Sequence, residues 1–174
     1  MNARDKVQTF FQLEQTIERL RGENLRIVFT NGCFDLLHIG HLRYLEAAKA
    51  LGDVLVVGMN TDASVRLIKG AGRPIMPENE RAELVCGLHC VDHVVLFDSP
   101  DPLPLIERVK PHVLVKGADW CMERIVGASH VKSLGGEVVT IPLVPQVSTT
   151  QIVERILERF AHSASCLGSE SQRS

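Results

Sequence analysis

Apolar residues fall at two alternating spacings along most of this chain. Phe11, Leu13, Ile17 and Leu20 share one side of a helix predicted over Phe10–Arg21. A short apolar run, Arg26–Thr30, then predicts a first strand. Helical spacing returns at Leu42, Leu45, Ala48 and Leu51, and Gly52 stops it. Val54–Met59 is nearly all apolar, as a strand buried on both faces should be. Further strands are predicted at His93–Phe97, Val113–Val115 and Glu137–Ile141. Between them lie predicted helices at Ser64–Ile68, Glu78–Leu88, Leu103–Val109 and Ile125–Leu134. Ser148-Thr149-Thr150 caps a last helix reaching about Phe160. From His162 onward the chain is Ser-rich and predicts disorder.

Strands that alternate with helices demand parallel pairing, with helices crossing back over the sheet. The expectation is therefore an α/β, doubly wound, Rossmann-like fold: a five-stranded parallel sheet with helices on both faces. The expected organisation is an N-terminal helix in residues 1–25, one domain over 26–161 and a tail over 162–174. Such sheets bind ligands beyond the carboxyl ends of their strands, at the point where strand order reverses. The polar clusters fall there: Gly32 to His41, Asn60 to Lys69, Lys116 to Trp120 and Ser148 to Thr150. One composite site is expected.

Composition narrows the classes. With 174 residues the chain can bury a substantial core as one domain. A net charge of −2 leaves no footprint for nonspecific nucleic-acid binding. No apolar run is long enough for a membrane span, and no signal-peptide core follows the N-terminus. The five cysteines include no Cys-x-x-Cys pair, so neither zinc nor dithiol chemistry is indicated. Cys86 and Cys90 are expected to pack as small hydrophobes. The reading is a reduced, cytoplasmic protein.

The densest chemistry lies in Thr30-Asn31-Gly32-Cys33-Phe34-Asp35, followed by His38-Ile39-Gly40-His41. A Gly-containing turn between strand and helix brings backbone N–H groups to a phosphate. Two histidines at the helix start can donate hydrogen bonds to phosphate oxygens, where charge develops during in-line transfer. His93, His112, His130 and His162 lack that context and are expected to be ordinary packing or surface residues. Lys69, before Gly70 in a polar loop, could reach a β- or γ-phosphate. Arg81 could contact substrate or pair with Glu78 or Glu80. Trp120 could pack, stack on a base or line a sugar pocket. Ser148-Thr149-Thr150 could cap its helix and bind an anion at once.

Strand–Gly-x-Phe-Asp followed by His-x-Gly-His resembles the signature of the nucleotidylyltransferase superfamily. These elements, with Lys69-Gly70, Glu80-Arg81, Val115 to Trp120 and Ser148-Thr149-Thr150, occur in the cytidylyltransferase-like order. Asn60 to Ser64, Lys69 to Pro74, Val91-Asp92, Val94-Val95 and Gly135 to Val138 resemble more narrowly the branch that makes ADP-heptose from heptose 1-phosphate. The glycerol-3-phosphate branch carries a triphosphate-binding arginine before its Ser-Thr-Thr; here Leu143-Val144-Pro145-Gln146 has none.

The resemblance implies transfer of AMP from ATP, with Mg²⁺, onto D-glycero-β-D-manno-heptose 1-phosphate for lipopolysaccharide core. It implies a separate sugar kinase to supply the acceptor; a homodimer is one option for an oligomeric state the residues do not settle. A cytidylyltransferase acting on glycerol 3-phosphate is the alternative, and a noncatalytic nucleotide-binding module a third. His38, His41 and Lys69 are the expected catalytic residues. Thr30, Asn31, Gly32, Cys33, Phe34, Asp35, Gly40, His41, Lys116, Gly117, Asp119, Ser148, Thr149 and Thr150 are expected at the nucleotide. Asn60, Asp62, Lys69, Arg81 and Trp120 are expected at the acceptor. No protein-held metal site is expected.

Overall fold

The computed structural model describes residues 3–121 and 124–167, with side chains to residue 161. A 3₁₀ turn, Ala3–Lys6, opens it. The elements then run β1 (Val7–Gln8), α1 (Phe10–Gly22), β2 (Ile27–Gly32), α2 (Ile39–Lys49), β3 (Val54–Asn60), α3 (Asp62–Lys69) and α4 (Glu78–Gly87). They continue with β4 (His93–Phe97), α5 (Leu103–Val109), β5 (Val113–Gly117), α6 (Ala128–Ser133), β6 (Glu137–Ile141) and α7 (Thr149–Leu167).

The sheet is parallel throughout, in the order β1-β4-β3-β2-β5-β6. It has six strands rather than the five expected. The addition is β1, whose Val7 and Gln8 sit beside Val94 and Val95 of β4. Two residues carry no periodicity, so this strand exists through its pairing alone. Lys6 helps hold it, donating from Nζ to the Val91 carbonyl at 2.8 Å.

Alternate residues of each strand go to opposite faces. Ile27 and Phe29 of β2 join Leu13, Ile17 and Leu20 of α1, with Ile106 of α5 and Val131 of α6, in one core. Val28 points the other way, into a second core with Leu45 of α2 and Val85 and Cys86 of α4. This is the double winding the alternation implied. The segment before residue 26 packs into the domain, since Leu13, Ile17 and Leu20 of α1 are buried in the first core. Its start is a capping box: Thr9 Oγ1 accepts from Gln12 N–H, and Gln12 Oε1 accepts from Thr9 N–H.

Two helix boundaries differ from expectation. Ile125 is buried ahead of α6, and the helix begins only after Gly127, whose φ of 83° is left-handed. At the other end, α7 runs through Leu167 instead of stopping near Phe160. The rest of the expected tail, 168–174, lies outside the described residues, as does the His162 side chain. Cys86 and Cys90 are buried as expected. His112 is structural: its Nδ1 accepts the Ile27 N–H at 2.9 Å.

Strand order reverses between β2 and β5, where both outgoing connections leave a crevice. That crevice lies between the carboxyl ends at Asn31-Gly32 and Lys116-Gly117.

Candidate active site

The turn after β2 is shaped around aromatic packing. Phe34 adopts φ 46°, a left-handed conformation uncommon for a residue with a side chain. A Cβ on Gly32 would stand 3.1 Å from the Phe34 ring, so glycine permits the close approach. Phe34 meets the His41 ring at 5.3 Å between centroids, tilted by 57°. His41 in turn stacks on His38 at 3.8 Å and 17°. His38 is the N-cap of α2, and its Nδ1 accepts the His41 backbone N–H at 3.3 Å. A ring that accepts at Nδ1 carries its proton on Nε2 when neutral. His38 therefore offers an N–H donor directed away from the helix. A Cβ on Gly40 would come 2.9 Å from His38 Nδ1 and 3.7 Å from the Val147 carbonyl oxygen. The glycine of His-x-Gly-His lets the ring and the loop before α7 close over the helix start.

Both imidazoles are held neutral. Burial lowers the pKa of His38, and burial lowers that of His41 to about 4, with the neighbouring His38 and Lys69 reinforcing it. The Leu36 carbonyl and Asp35 carboxylate only partly oppose this. The depressed value in the folded chain, against 6.5 when unfolded, means the unfolded state binds more protons in between. His41 thus contributes stability fully above 6.5, and that contribution is lost as pH falls through about 4. Urea melts at about pH 7 and about pH 4.5 should show wild type losing on the order of 2–3 kcal/mol more than His41→Asn. Equal losses in the two proteins would contradict the burial of a neutral ring.

Asp35 and the loop 70–77 form a clamp. Asp35 is 5% exposed. Its Oδ2 pairs with Arg73 Nη1 at 2.8 Å, and its Oδ1 accepts from Ile75 N–H at 2.8 Å and Met76 N–H at 3.0 Å. Burial would raise its pKa, but the Met76, Arg73 and Ile75 hydrogen bonds outweigh it and hold the carboxylate below its ordinary range. Asp35, expected at the nucleotide, is placed by these contacts to tie the loop to the turn.

Arg81 is the second clamp. It is 0% exposed. Its guanidinium donates to the carbonyls of Met76 and Asn60, each at 3.0 Å, to the Cys33 carbonyl, and to Asp62 Oδ1 at 2.8 Å. Asn60 is turned inward as well, its Nδ2 donating to Ser64 Oγ at 2.8 Å and the Ser99 carbonyl at 3.0 Å. Asn60, Asp62 and Arg81, expected at the acceptor, are placed as a frame that fixes the ends of β2 and β3. Thr30 is likewise interior: fully buried, its hydroxyl is 2.7 Å from Tyr44 OH.

Other expected residues gather about the carboxyl ends of β2 and β5. Lys69 closes α3, is exposed, and lies close enough to lower the pKa of both His41 and Cys33. Burial nevertheless leaves the Cys33 thiol above its ordinary value. Across the β2 end, Lys116 Nζ donates to Asn31 Oδ1 and lies 6.0 Å from the centroid of the half-exposed Trp120 ring. A Cβ on Gly117 would come 3.0 Å from Leu143, which brings the loop before α7 to the end of β5. Ser148 Oγ accepts the Gln151 N–H at 3.2 Å, capping α7, while Thr149 and Thr150 form its first turn.

A family model described as Cytidylyltransferase-like matches residues 29–155, from within β2 into α7. The chain belongs to the cytidylyltransferase-like family of nucleotidyltransferases. It is 53% identical over 144 residues to the bifunctional protein HldE of Syntrophotalea carbinolica, which covers 83% of this chain and 29% of that one. The HldE of Trichlorobacter lovleyi is 51% identical over 148 residues, 85% of this chain and 30% of that one. The chain thus spans less than a third of the length of these curated relatives. Among solved structures, a lipopolysaccharide core biosynthesis protein from Thermoplasma volcanium is similar at TM-score 0.56 and 33% identity, covering 69% of this chain and 97% of that one. A pantoate-beta-alanine ligase from Francisella tularensis, at 15% identity and TM-score 0.59, covers 87% of this chain and 77% of that one, and shows the shared fold alone.

For this member of the family, the described residues bring together no three His, Cys, Asp or Glu side chains as a metal cluster. None of their helices is long and apolar enough to cross a membrane. Two contributors were not read from the sequence. Arg73 was only part of a loop, and a nearby buried acid is not visible in sequence. Tyr44, on the α2 face next to Thr30, carried no signal beyond helical spacing.

Proposed function

We propose that this protein transfers AMP from ATP to D-glycero-β-D-manno-heptose 1-phosphate, releasing pyrophosphate and ADP-heptose for lipopolysaccharide core. The observation that carries the transfer chemistry is the stacked, neutral His38–His41 pair at the start of α2, with Lys69 nearby. The sugar acceptor is supported by about 50% identity to proteins named HldE and by the likeness to a lipopolysaccharide core biosynthesis protein. ATP is supported further by the lack of arginine in Leu143 to Gln146.

In this reading a phosphate oxygen of the sugar attacks the α-phosphorus. The new P–O bond forms as the bond to the bridging α,β-oxygen breaks, and pyrophosphate leaves with that electron pair. His38 and His41 donate N–H groups to the phosphate oxygens where charge accumulates. The Lys69 ammonium takes the charge that grows on pyrophosphate. The turn Gly32–Phe34 presents backbone to the nucleotide, and Ser148 to Thr150 close the same cleft.

Proteins that act on nucleotides usually bind Mg²⁺ through one or two carboxylates plus substrate phosphates rather than a full protein cage. The residues fit that role: Asp35 and Asp62 are tied up by arginines, and Asp119 is an exposed carboxylate without an ion-pair partner among the described residues. When bound, the ion would neutralise phosphate charge beside Asp119.

Pyrophosphate release with ATP, CTP, GTP and UTP against heptose 1-phosphate and glycerol 3-phosphate tests the reading. ATP with heptose 1-phosphate is expected to turn over fastest. Faster turnover of CTP with glycerol 3-phosphate would replace it with the cytidylyltransferase alternative.

A further inference from the structure

Three charged side chains are buried among the described residues: Asp35, Arg81 and Lys116. Asp35 is paired with Arg73, and Arg81 with Asp62. Lys116 is 8% exposed, and no carboxylate lies within ion-pair distance of it among the described residues. Its one hydrogen-bond partner among the described residues is the neutral amide oxygen of Asn31. A buried ammonium without an ion-paired counter-charge is costly, and an arriving anion would relieve that cost. Burial already pulls its pKa down to about 8, with Asp119 and Cys33 only partly offsetting this.

The position of Lys116 says which anion. It stands on β5, on the opposite side of β2 from α3 and its Lys69. Both ammonium groups act on Cys33 at the end of β2, and Lys69 acts on His41 as well. The cleft therefore has two cationic poles with the β2 end between them. In-line transfer places the entering phosphate oxygen and the leaving pyrophosphate on opposite sides of the α-phosphorus. The histidines and Lys69 form the pole for the triphosphate. We infer that Lys116, held by Asn31 at the switch point, is the anchor for the phosphate of the acceptor, with Trp120 as the wall beside it. The assignment rests on the sugar 1-phosphate reading and deepens it. A compact dianion suits a compact ammonium. Arrival of that dianion supplies the direct ion pair that Asp119, acting from beyond ion-pair distance, does not.

Trp120 is the sole tryptophan of the chain and lies 6.0 Å from the ammonium, so its fluorescence reports occupancy directly. Wild type and Lys116→Met are titrated separately with heptose 1-phosphate, inorganic phosphate, unphosphorylated heptose and ATP, and then assayed for turnover. Lys116→Met is expected to weaken sugar 1-phosphate binding and raise its KM on the order of 10- to 100-fold, the range for a lost charged hydrogen bond. ATP binding and its KM should stay within about threefold of wild type, well inside that range. Unphosphorylated heptose should bind neither protein better than the other.

Lys116→Met removes an uncompensated charge and is expected to melt no lower than wild type. Should it melt lower, Lys116→Arg carries the test, because keeping the charge should keep most of the acceptor affinity. Unchanged acceptor affinity, or an equal loss for ATP, overturns the assignment. If wild type makes no ADP-heptose yet the two proteins still differ in sugar phosphate binding, the proposed reaction fails and the anchor stands.

Discussion

Replacing His41 with alanine is expected to lower kcat on the order of 10²–10³-fold, the cost of one well-placed donor to developing charge. The ring is fixed from two sides, by Phe34 at 5.3 Å and His38 at 3.8 Å. A donor that need not reorganise is worth more in the transition state than in the ground state, so the loss should fall on kcat more than on KM. Its neutrality matters as well. A pKa of about 4 means that the free enzyme presents uncharged imidazole at neutral pH. An arriving triphosphate raises the pKa and strengthens the donor as charge builds.

His38→Ala should divide its effect differently. Its Nδ1 already accepts the His41 backbone N–H, so truncation also loosens the first turn of α2. More of that loss should appear as weaker ATP binding. If both rings only pack, each variant will lose thermal stability and keep its turnover once folded. Steady-state kinetics beside thermal melts separate the two. A folded His41→Ala enzyme within about threefold of wild type, far below the donor-loss range, would sink the catalytic role.

The parts of this molecule legible in sequence are those whose period or local chemistry repeats. Val54 to Met59 reads as a strand buried on both sides, and it forms all of β3 but its last residue. His38-Ile39-Gly40-His41 was legible because cap, glycine and ring donors lie within one turn. What was not legible depends on partners distant in the chain. Asn60, Asp62 and Arg81 look like substrate ligands in sequence because polar residues after strand ends usually face the ligand. The structure spends them on each other, since the ends of β2 and β3 leave carbonyls that need donors. Asp35 is similar: its partners Arg73, Ile75 and Met76 lie some forty residues on. Lys116 shows the converse. Its position was expected at the nucleotide, but only its burial without an ion-paired carboxylate among the described residues marks it as a waiting cation.

Arg81→Met is expected to cost on the order of 3–5 kcal/mol of folding stability, the range for breaking a buried ion pair from one side. The arginine is 0% exposed and supplies four acceptors at once: the carbonyls of Cys33, Asn60 and Met76, and the Asp62 carboxylate. Methionine fills the volume and satisfies none of them. Each orphaned buried acceptor costs about 1–3 kcal/mol, and relaxation of the loop toward water recovers part of it. Against a typical domain stability of about 5–15 kcal/mol, this is a large share. Lysine should rescue only partly, because one ammonium cannot span four acceptors from a planar fork.

Activity of the folded fraction should fall as well. Cys33 carries the turn toward Phe34 and His41, and Asp62 opens the helix that ends at Lys69. Freeing both misplaces the two sides of the triphosphate pole together. Urea melts of Arg81→Met, with Asp62→Asn as the milder probe of the same clamp, measure the first effect. Per-molecule kcat in the folded baseline measures the second. A loss of stability below about 1 kcal/mol, well under the buried-pair range, would show that the clamp does not hold the site. In that case Arg81 would return to the substrate role suggested by its place after the loop.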